Sequence, residues 1–334
     1  MTKTRSILSL LLVLMALLCC LTTFQDGNIL PEVSNSAYTG APLPAWQFGI
    51  HPYGIVLVVA FIAFCVIVFC LTGKDKRAAL PGYAALTAWL AILLSRLVFV
   101  LVNIEYFSQI AGFAACFRLQ DGGLSMTGAL GGILLGTYLL RKTGPSFRAV
   151  STGLPVFILI ARLGESFTST GLGIGLDDPN FLTVEGDWDY PLNIRLIEAF
   201  AALLILIVLL RLISKAPSGS DSAVLFFVIL YGTSQILFES LRNDGHMIWG
   251  FVRSQQIFAF VGAAVAAGIL ASRRGRLTVS VISSVCLGGL VFLLEKALDR
   301  NWFRIPIFWL YLIFALLLLG YMILNLRRGS RMKK

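Results

Sequence analysis

The chain has few charged residues and almost no histidine. Asp, Glu, Lys and Arg make up 13% of its 334 residues, and only two residues are histidines. Soluble globular domains carry about 25% charged residues, so this composition excludes a soluble enzyme. Instead, 57% of the residues are hydrophobic, and uncharged apolar runs long enough to cross a bilayer recur along most of the sequence. The sequence therefore predicts an all-α polytopic membrane protein.

Two further kinds of ligand are disfavoured by what is missing. The six cysteines have no spacing typical of metal ligands, and all but Cys116 lie inside apolar runs as small hydrophobic residues. We therefore expect no disulfide framework, no metal ion and no cofactor. The net charge of +10 would suit nucleic acid if one face carried it, but the cations fall in short clusters between the apolar runs. Such clusters are typical of topology signals, so we expect no nucleic-acid partner.

About ten apolar stretches of roughly 20 residues predict transmembrane helices. They cover residues 7–24, 52–72, 79–102, 124–140, 149–165, 196–213, 222–241, 256–272, 278–295 and 305–326. Ten spans place both termini on the same side of the membrane. The first stretch follows Lys3 and Arg5 and could be a cleaved signal peptide. Because it ends without a small-residue cleavage pattern, we interpret it as a retained helix.

The positive charges predict the orientation of these spans. Two thirds of the 27 Lys and Arg residues lie in one set of alternate loops, together with only Asp75 and Asp221. By the positive-inside rule, these loops and both termini are cytoplasmic. The other loops carry most of the acidic residues. The longest of them, 25–51 and 166–195, are rich in Gly, Pro, Asn and Asp and predict a small extracytoplasmic head.

Nine cations do not fit this topology, because they lie in or next to the outer half of the membrane. They are Arg96, Arg118, Arg162, Arg195, Arg242, Arg253, Lys296, Arg300 and Arg304. An arginine near the centre of a membrane helix costs about 2.5 to 3.5 kcal/mol, so it is normally paired, snorkelling or bound to an anion. Arg162 with Glu165, and Glu239 with Arg242, are each spaced by three residues, which puts each pair on one helical face.

Two interpretations of these charges remain open. The first makes each of the two pairs a structural ion pair that sets helix packing. The second adds Arg96, Arg195 and Glu198 at the same membrane depth and predicts one polar cavity that opens towards the outer leaflet. Arginine makes forked contacts with phosphate, so an anionic phospholipid headgroup is the ligand that such a cavity would bind.

Glycines are dense in residues 121–136. Two small-residue faces, Gly128/Gly132/Gly136 and Gly123/Thr127/Gly131, predict close helix packing. The paired glycines after Asp121 also allow a sharp turn or a close approach of the backbone to a ligand.

The two histidines stand near the outer ends of apolar runs. His51 comes just before Tyr53 at the outer mouth of the second span. A histidine there can change its protonation near neutral pH, so we expect His51 at the mouth of the cavity. Tyr53 either faces the cavity or is an interfacial belt residue. We interpret His246, in an outer loop, as a solvated interfacial residue.

Several strings of the sequence resemble, in the same order, those of the bacterial prolipoprotein diacylglyceryl transferases. They are HPYGI, SRLVFVL, DGGLSMTGALGGIL, ARLGESFTSTGLGIGLDDPNF, YPLNIRLIEAF, YGTSQILFESLRND and SQQIFAF. The resemblance implies a seven-helix transferase-like membrane core over residues 48–272. Residues 1–47 would add an N-terminal transmembrane helix with an outer segment, and residues 273–334 two extra helices with a basic tail. That tail is either a topology anchor or a contact with anionic lipid.

The family moves the diacylglyceryl group of phosphatidylglycerol onto the thiol of a lipobox cysteine in a prolipoprotein. The products are a thioether and glycerol phosphate. The resemblance therefore implies a transferase of the bacterial plasma membrane, with phosphatidylglycerol and the prolipoprotein signal-peptide region as partners. The reaction needs an anion clamp for the phosphate, a base or field that generates thiolate, and openings for two lipidic substrates.

Individual roles follow from the matched positions. Arg162 corresponds to the signature arginine, Glu239 to the glutamate of the seventh-helix motif, Arg242 to the arginine after it, Tyr53 to the tyrosine of the first string, and Gly175 to the glycine that closes the signature loop. The resemblance thus implies a catalytic set and a substrate-binding set. The catalytic set is Arg162, Glu165, Glu239 and Tyr53. The substrate-binding set is Arg242, Gln235, Thr127, His51, Gly175 and Arg96.

The chain departs from the family at three of these positions. Thr127 replaces a histidine, Gln235 an arginine and Glu165 the signature asparagine. Threonine is no general base at neutral pH, and glutamine can donate to a phosphate without neutralising it. Glu165 is a candidate for a relocated base. The alternative function is a catalytically degenerate homologue that binds phospholipid or lipopeptide. A small-solute transporter is disfavoured because the embedded charges cluster at the outer end and no inverted repeat is evident.

Overall fold

Long helices dominate the computed structural model of the chain. It describes residues 2–22, 50–108, 113–119, 123–168, 171–186, 189–214, 222–243, 248–249, 252–299 and 307–326. Within these ranges lie ten helices of 14 or more residues: α1 (Thr2–Leu21), α2 (Pro52–Leu71), α3 (Leu80–Val102), α4 (Met126–Leu139), α5 (Phe147–Gly164), α6 (Ile194–Ser214), α7 (Ser222–Leu241), α8 (Ser254–Arg273), α9 (Leu277–Asp299) and α10 (Ile307–Leu326).

Each predicted span overlaps one of these helices, and residues 23, 24, 305 and 306 of the predicted spans lie outside the described residues. In the described part of the chain, eight helices are long and apolar enough to cross a membrane, namely α2, α3 and α5 to α10. The apolar runs of the other two are shorter, Ser6–Leu21 in α1 and Met126–Leu139 in α4. The prediction of an all-α polytopic membrane protein is confirmed.

Capping residues, a proline and a glycine determine where several of the helices begin and end. Ser125 and Ser146 are the N-caps of α4 and α5, because their side chains accept the backbone N–H groups of Gly128 and Ala149. Proline stands in the first turn of α2, where its missing N–H leaves no helical bond unmade. Between α8 and α9, Gly275 has a φ of 68°, a left-handed conformation that glycine adopts at little cost.

The chain divides into two compact units, and the boundary falls within α6. Unit 1 comprises Met1–Leu206 and Asn243–Met247, and unit 2 comprises Ile207–Arg242 and Ile248–Lys334. The sequence division into 1–47, 48–272 and 273–334 follows family resemblance rather than compactness, and it stays a prediction.

Glycine determines how the helices of unit 1 approach one another. A Cβ on Gly128 or Gly132 would overlap the backbone of Leu94 or Leu90 on α3, so α4 and α3 touch along their main chains. The predicted face Gly128/Gly132/Gly136 is therefore confirmed as a packing surface. Gly131, on the other predicted face, has no heavy atom of the described residues within 4 Å of its Cβ position. Helix α2 packs against α5, and α1 against α2 and α3.

A short antiparallel hairpin follows α5 in unit 1. Strand β1 (Leu172–Leu176) pairs with β2 (Tyr190–Asn193), with Leu172 opposite Asn193 and Leu176 opposite Tyr190. Part of the predicted outer segment 166–195 thus forms a hairpin, whereas residues 25–49 of the other predicted head segment lie outside the described residues. The extracytoplasmic head stays a prediction.

Unit 2 contains the remaining helices. Helix α7 packs against α8 and α10, and α9 packs against α8 and α10. A second short hairpin joins β3 (Ile248–Trp249) to β4 (Val252–Arg253) just before α8. Only 17% of the most apolar stretch of α9 is buried within the protein, and the share is the same for α10. Such apolar outer surfaces are suited to contact lipid.

Candidate functional site

The end of α5 carries an arginine held between two carboxylates. Arg162 lies in the last turn of α5, Glu165 follows that turn, and Glu198 comes from the second turn of α6. All three are at most 4% exposed. Arg162 Nη1 pairs with Glu165 Oε1, and Arg162 Nε lies 2.5 Å from Glu198 Oε2. Two buried carboxylates therefore orient the guanidinium, which makes the predicted i,i+3 pair part of a larger arrangement.

Arg195 holds the loop that follows this turn. Its Nη1 donates to the carbonyl oxygens of Glu165 (2.8 Å) and Thr168 (3.0 Å), and its Nε donates to Asn193 Oδ1 (3.1 Å). Gly171 has a φ of 80°, and a Cβ there would come within 2.9 Å of Glu165 Oε2. Because only glycine adopts this conformation at little cost and leaves that space, the loop closes tightly on the Glu165 carboxylate.

We call Arg162, Glu165, Arg195 and Glu198 the arginine–carboxylate cluster. Its two cations and two anions give a formal charge of zero, which lowers the cost of burying them. Such an array can bind a phosphate when the phosphate replaces one carboxylate on the arginine. Glu198 was grouped with these charges in sequence but was not assigned a site role. The signal that identifies it is a lone carboxylate in the apolar run of α6, three residues after Arg195.

The N-terminal turn of α2 lies next to this cluster. A Cβ on Gly164, between Arg162 and Glu165, would come within 2.5 Å of Val56 Cγ1 on α2. Tyr53, one turn before Val56, is 5% exposed. The structure thus brings the Tyr53 turn beside the Arg162 turn, although the two are more than 100 residues apart in sequence.

The other predicted site residues of unit 1 occupy separate local positions. His51 is the N-cap residue of α2 and is half-buried. Thr127 is half-buried in the first turn of α4. Gly175 lies in β1, where a Cβ would overlap the carboxylate of Asp189. His246 lies outside the described residues, so its predicted interfacial position has no structural account.

Arg96 is engaged by backbone carbonyl groups. Its guanidinium donates to the carbonyl oxygens of Ala115 (2.7 Å), Cys116 (2.9 Å) and Gly123 (3.3 Å). The same group lies 5.3 Å from the ring centroid of Phe107, within the range of a cation–π contact. Arg96 therefore joins α3 to the segments that precede α4. Its predicted contact with substrate stays a prediction.

The second predicted pair lies in unit 2, at the end of α7. Arg242 Nε is 3.6 Å from Glu239 Oε1, and the two residues are 8% and 1% exposed. Gln235, one turn before Glu239, is 5% exposed. The backbone carbonyl of Arg242 accepts a hydrogen bond from Arg253 Nη2 at 2.7 Å. The hypothesis that these residues and Arg162 line one cavity stays a prediction.

Comparisons with known proteins identify a family for most of the chain. The family model of prolipoprotein diacylglyceryl transferase matches residues 43–272. A relative from Streptococcus pneumoniae (strain ATCC 700669 / Spain 23F-1), a phosphatidylglycerol–prolipoprotein diacylglyceryl transferase, is 26% identical over 202 residues, covering 55% of this chain and 75% of the relative. A relative with the same name from Lysinibacillus sphaericus (strain C3-41) is 23% identical over 266 residues, covering 74% of this chain and 94% of the relative.

Proposed function

Because this chain belongs to the prolipoprotein diacylglyceryl transferase family, we propose that it transfers the diacylglyceryl group of phosphatidylglycerol to the lipobox cysteine of prolipoproteins. The chain is a multi-pass membrane protein of eight or more apolar helices. In our proposal it lies in a bacterial plasma membrane with both termini cytoplasmic, and the reaction takes place at the outer leaflet. The charge distribution of the loops supports this orientation.

The observation that carries the proposal is the buried Arg162 between Glu165 and Glu198, inside the region that the family model matches. Arg162 binds the phosphate of phosphatidylglycerol, which becomes the leaving group. Negative charge accumulates on that phosphate as its bond to carbon breaks, so a preorganised guanidinium stabilises the transition state more than the ground state. Glu198 fixes the orientation of the guanidinium through its contact with Arg162 Nε.

The chemical step is a displacement at carbon. The cysteine thiol loses its proton, and the thiolate attacks the glycerol carbon that bears the phosphate oxygen. A carbon–sulfur bond forms, the carbon–oxygen bond breaks, and its electron pair leaves with glycerol phosphate. Glu165 accepts the thiol proton once the substrate phosphate has replaced it on Arg162, and then releases that proton to water. No external oxidant or reductant is required.

The remaining residues bind and orient the substrates. Arg242 contacts the headgroup, Glu239 orients Arg242, and Gln235 donates a hydrogen bond to the phosphate. Tyr53 faces the reacting centre, an assignment supported by the place of its turn beside α5. Four other residues are proposed to contact the substrates. They are His51, Arg96, Thr127 and Gly175.

The test of the function is transfer in living cells. The full chain is expressed in bacteria depleted of their own transferase, together with a lipobox reporter. We expect the reporter to gain a thioether-linked diacylglyceryl group, detected by mass spectrometry, and a reporter with serine in place of the lipobox cysteine to gain none. An unmodified cysteine reporter in the presence of well-expressed protein would contradict the function.

A second function is favoured by two substitutions within the matched region. The resemblance implies a histidine and an arginine where this chain has Thr127 and Gln235, and these two side chains neither act as a base at neutral pH nor neutralise a phosphate. A catalytically degenerate homologue would bind phospholipid or lipopeptide without transfer. Phosphatidylglycerol that co-purifies with the wild-type protein but not with Arg162→Gln, in the absence of any transfer, would favour this second function.

Glu165→Gln tests whether Glu165 is the base that accepts the thiol proton. Glutamine nearly retains the shape of glutamate but cannot accept the thiol proton, so we expect transfer to fall by about 100-fold, within the usual contribution of a general base. The matched control is Glu185→Gln, which changes an exposed glutamate in the loop between β1 and β2. A Glu165→Gln protein with full thiol-acylation activity would remove Glu165 as the base.

A further inference from the structure

Helices α9 and α10 lie beyond residue 272, where the family match ends, and they bring a carboxylate into unit 2. Glu295 in α9 is 8% exposed although α9 as a whole buries little of its surface. A buried acidic residue in a membrane helix is costly, and it is usually retained for a specific contact. The contact of Glu295 is therefore informative about the purpose of the added helices.

Glu295 is linked to α7 through one glutamine. Gln256 Nε2, on α8, donates to Glu295 Oε1 at 2.8 Å and to the backbone carbonyl of Ile236 on α7 at 3.0 Å. Gln256 is 2% exposed, so both bonds lie away from solvent. Since hydrogen bonds in a low-dielectric interior are strong, the two bonds of Gln256 fix the position of α9 relative to α8 and α7.

Two further side chains cap the end of α7. Tyr311 Oη, on α10, donates to the backbone carbonyl of Ser240 at 3.0 Å, and Arg253 donates to that of Arg242 at 2.7 Å. The last carbonyl groups of a helix have no partner within the helix, so donors from elsewhere determine how firmly its final turn is held. This final turn carries the Glu239–Arg242 pair.

We propose that Tyr311 and Glu295 are positioning residues, through which the two added helices hold Arg242 in the geometry that binds the substrate phosphate. The inference rests on the proposed function, since it takes Arg242 to contact the headgroup. It gives α9 and α10, which lie outside the family match, a role in substrate binding. Tyr311 acts on the backbone of the turn, and Glu295 acts through Gln256 one turn earlier.

A matched pair of tyrosine variants tests this role. Tyr321 Oη and Ser284 Oγ, 2.9 Å apart, form a hydrogen bond that joins α10 to α9 without reaching α7. Tyr311→Phe and Tyr321→Phe therefore each remove one hydroxyl from α10. We expect Tyr311→Phe to raise the KM for phosphatidylglycerol about tenfold with kcat changed less than twofold, because small misplacements of a binding group weaken substrate contacts strongly. Tyr321→Phe is expected to change neither constant.

A second pair of variants tests the Glu295 arm. Glu295→Gln keeps an oxygen that accepts from Gln256, whereas Glu295→Ala does not. We expect the alanine variant to raise the KM like Tyr311→Phe and the glutamine variant to retain a KM near that of the wild type. Hydrogen–deuterium exchange at residues 238–242 should increase in Tyr311→Phe and Glu295→Ala only.

The outcomes separate the inference from the function. An active wild type whose KM and exchange at 238–242 are the same in Tyr311→Phe and Tyr321→Phe would overturn the positioning role. A wild type that transfers nothing contradicts the proposed function instead. In that case faster exchange at 238–242 in Tyr311→Phe alone still supports the contact with α7, and equal exchange in both tyrosine variants overturns it.

Discussion

Arg162→Gln is expected to reduce diacylglyceryl transfer by about 100- to 1,000-fold, the loss typical of removing one preorganised donor from a developing anion. The same substitution leaves Glu165 and Glu198 buried beside a neutral amide. Removing one partner of a buried ion pair costs about 3 to 5 kcal/mol, so the variant should also unfold at a lower temperature. Transfer to a lipobox reporter and thermal unfolding in detergent measure the two effects.

A double variant separates chemistry from stability. Arg162→Gln combined with Glu198→Gln removes one cation and one anion of the arginine–carboxylate cluster. We expect thermal stability to return most of the way to that of the wild type, because fewer buried charges lack a partner. Transfer should remain as low as in Arg162→Gln alone. Recovery of transfer in the double variant would show that Arg162 does not bind the phosphate.

Gly132→Leu is expected to prevent accumulation of folded protein in the membrane. At this position α4 and α3 touch along their backbones, and a Cβ would overlap the carbonyl group of Leu90. A main-chain clash cannot be relieved by a rotamer change, so the cost should reach about 3 kcal/mol, the upper end for overpacked sites. Size-exclusion chromatography of the solubilised protein measures the loss as a reduced monodisperse peak.

The adjacent glycine is the matched control. Gly131 belongs to the same helix and has nothing among the described residues within 4 Å of its Cβ position. Gly131→Leu adds the same apolar volume and loses the same backbone entropy on folding, so it should accumulate like the wild type. Because leucine favours the helix more than glycine does, equal loss in both variants would mean that contact of α4 with α3 at Gly132 does not limit the protein.

The helices and the short-range ion pairs of this protein could be predicted from the sequence because both depend on neighbouring residues. A bilayer requires an apolar run of about 20 residues whatever surrounds it, so the spans from 52–72 to 305–326 coincide with helices. The pairing of Arg162 with Glu165 follows from a spacing of three within one helical turn. The glycine face of α4 was identifiable for the same reason.

The partners that cross between helices could not be predicted in this way. Glu198 of α6 contacts Arg162, and Glu295 of α9 accepts a hydrogen bond from Gln256. Arg96 donates to the backbone carbonyl groups of Ala115, Cys116 and Gly123. In α6 and α9 apolar residues surround most of the helix, so hydrophobic periodicity does not specify which face turns inward.

The sequence by itself determined that this chain is a helical membrane protein, which loops carry its cations, and which family its central residues resemble. These properties are local, since each depends on composition or spacing within a few turns. The tertiary structure alone decided that Arg162 lies between two carboxylates, that Arg96 binds backbone, and that the two added helices are linked to α7, α10 through Tyr311 and α9 through Glu295 and Gln256. Those contacts depend on the rotation and depth of each helix, which backbone packing and distant polar partners select after the apolar runs have formed.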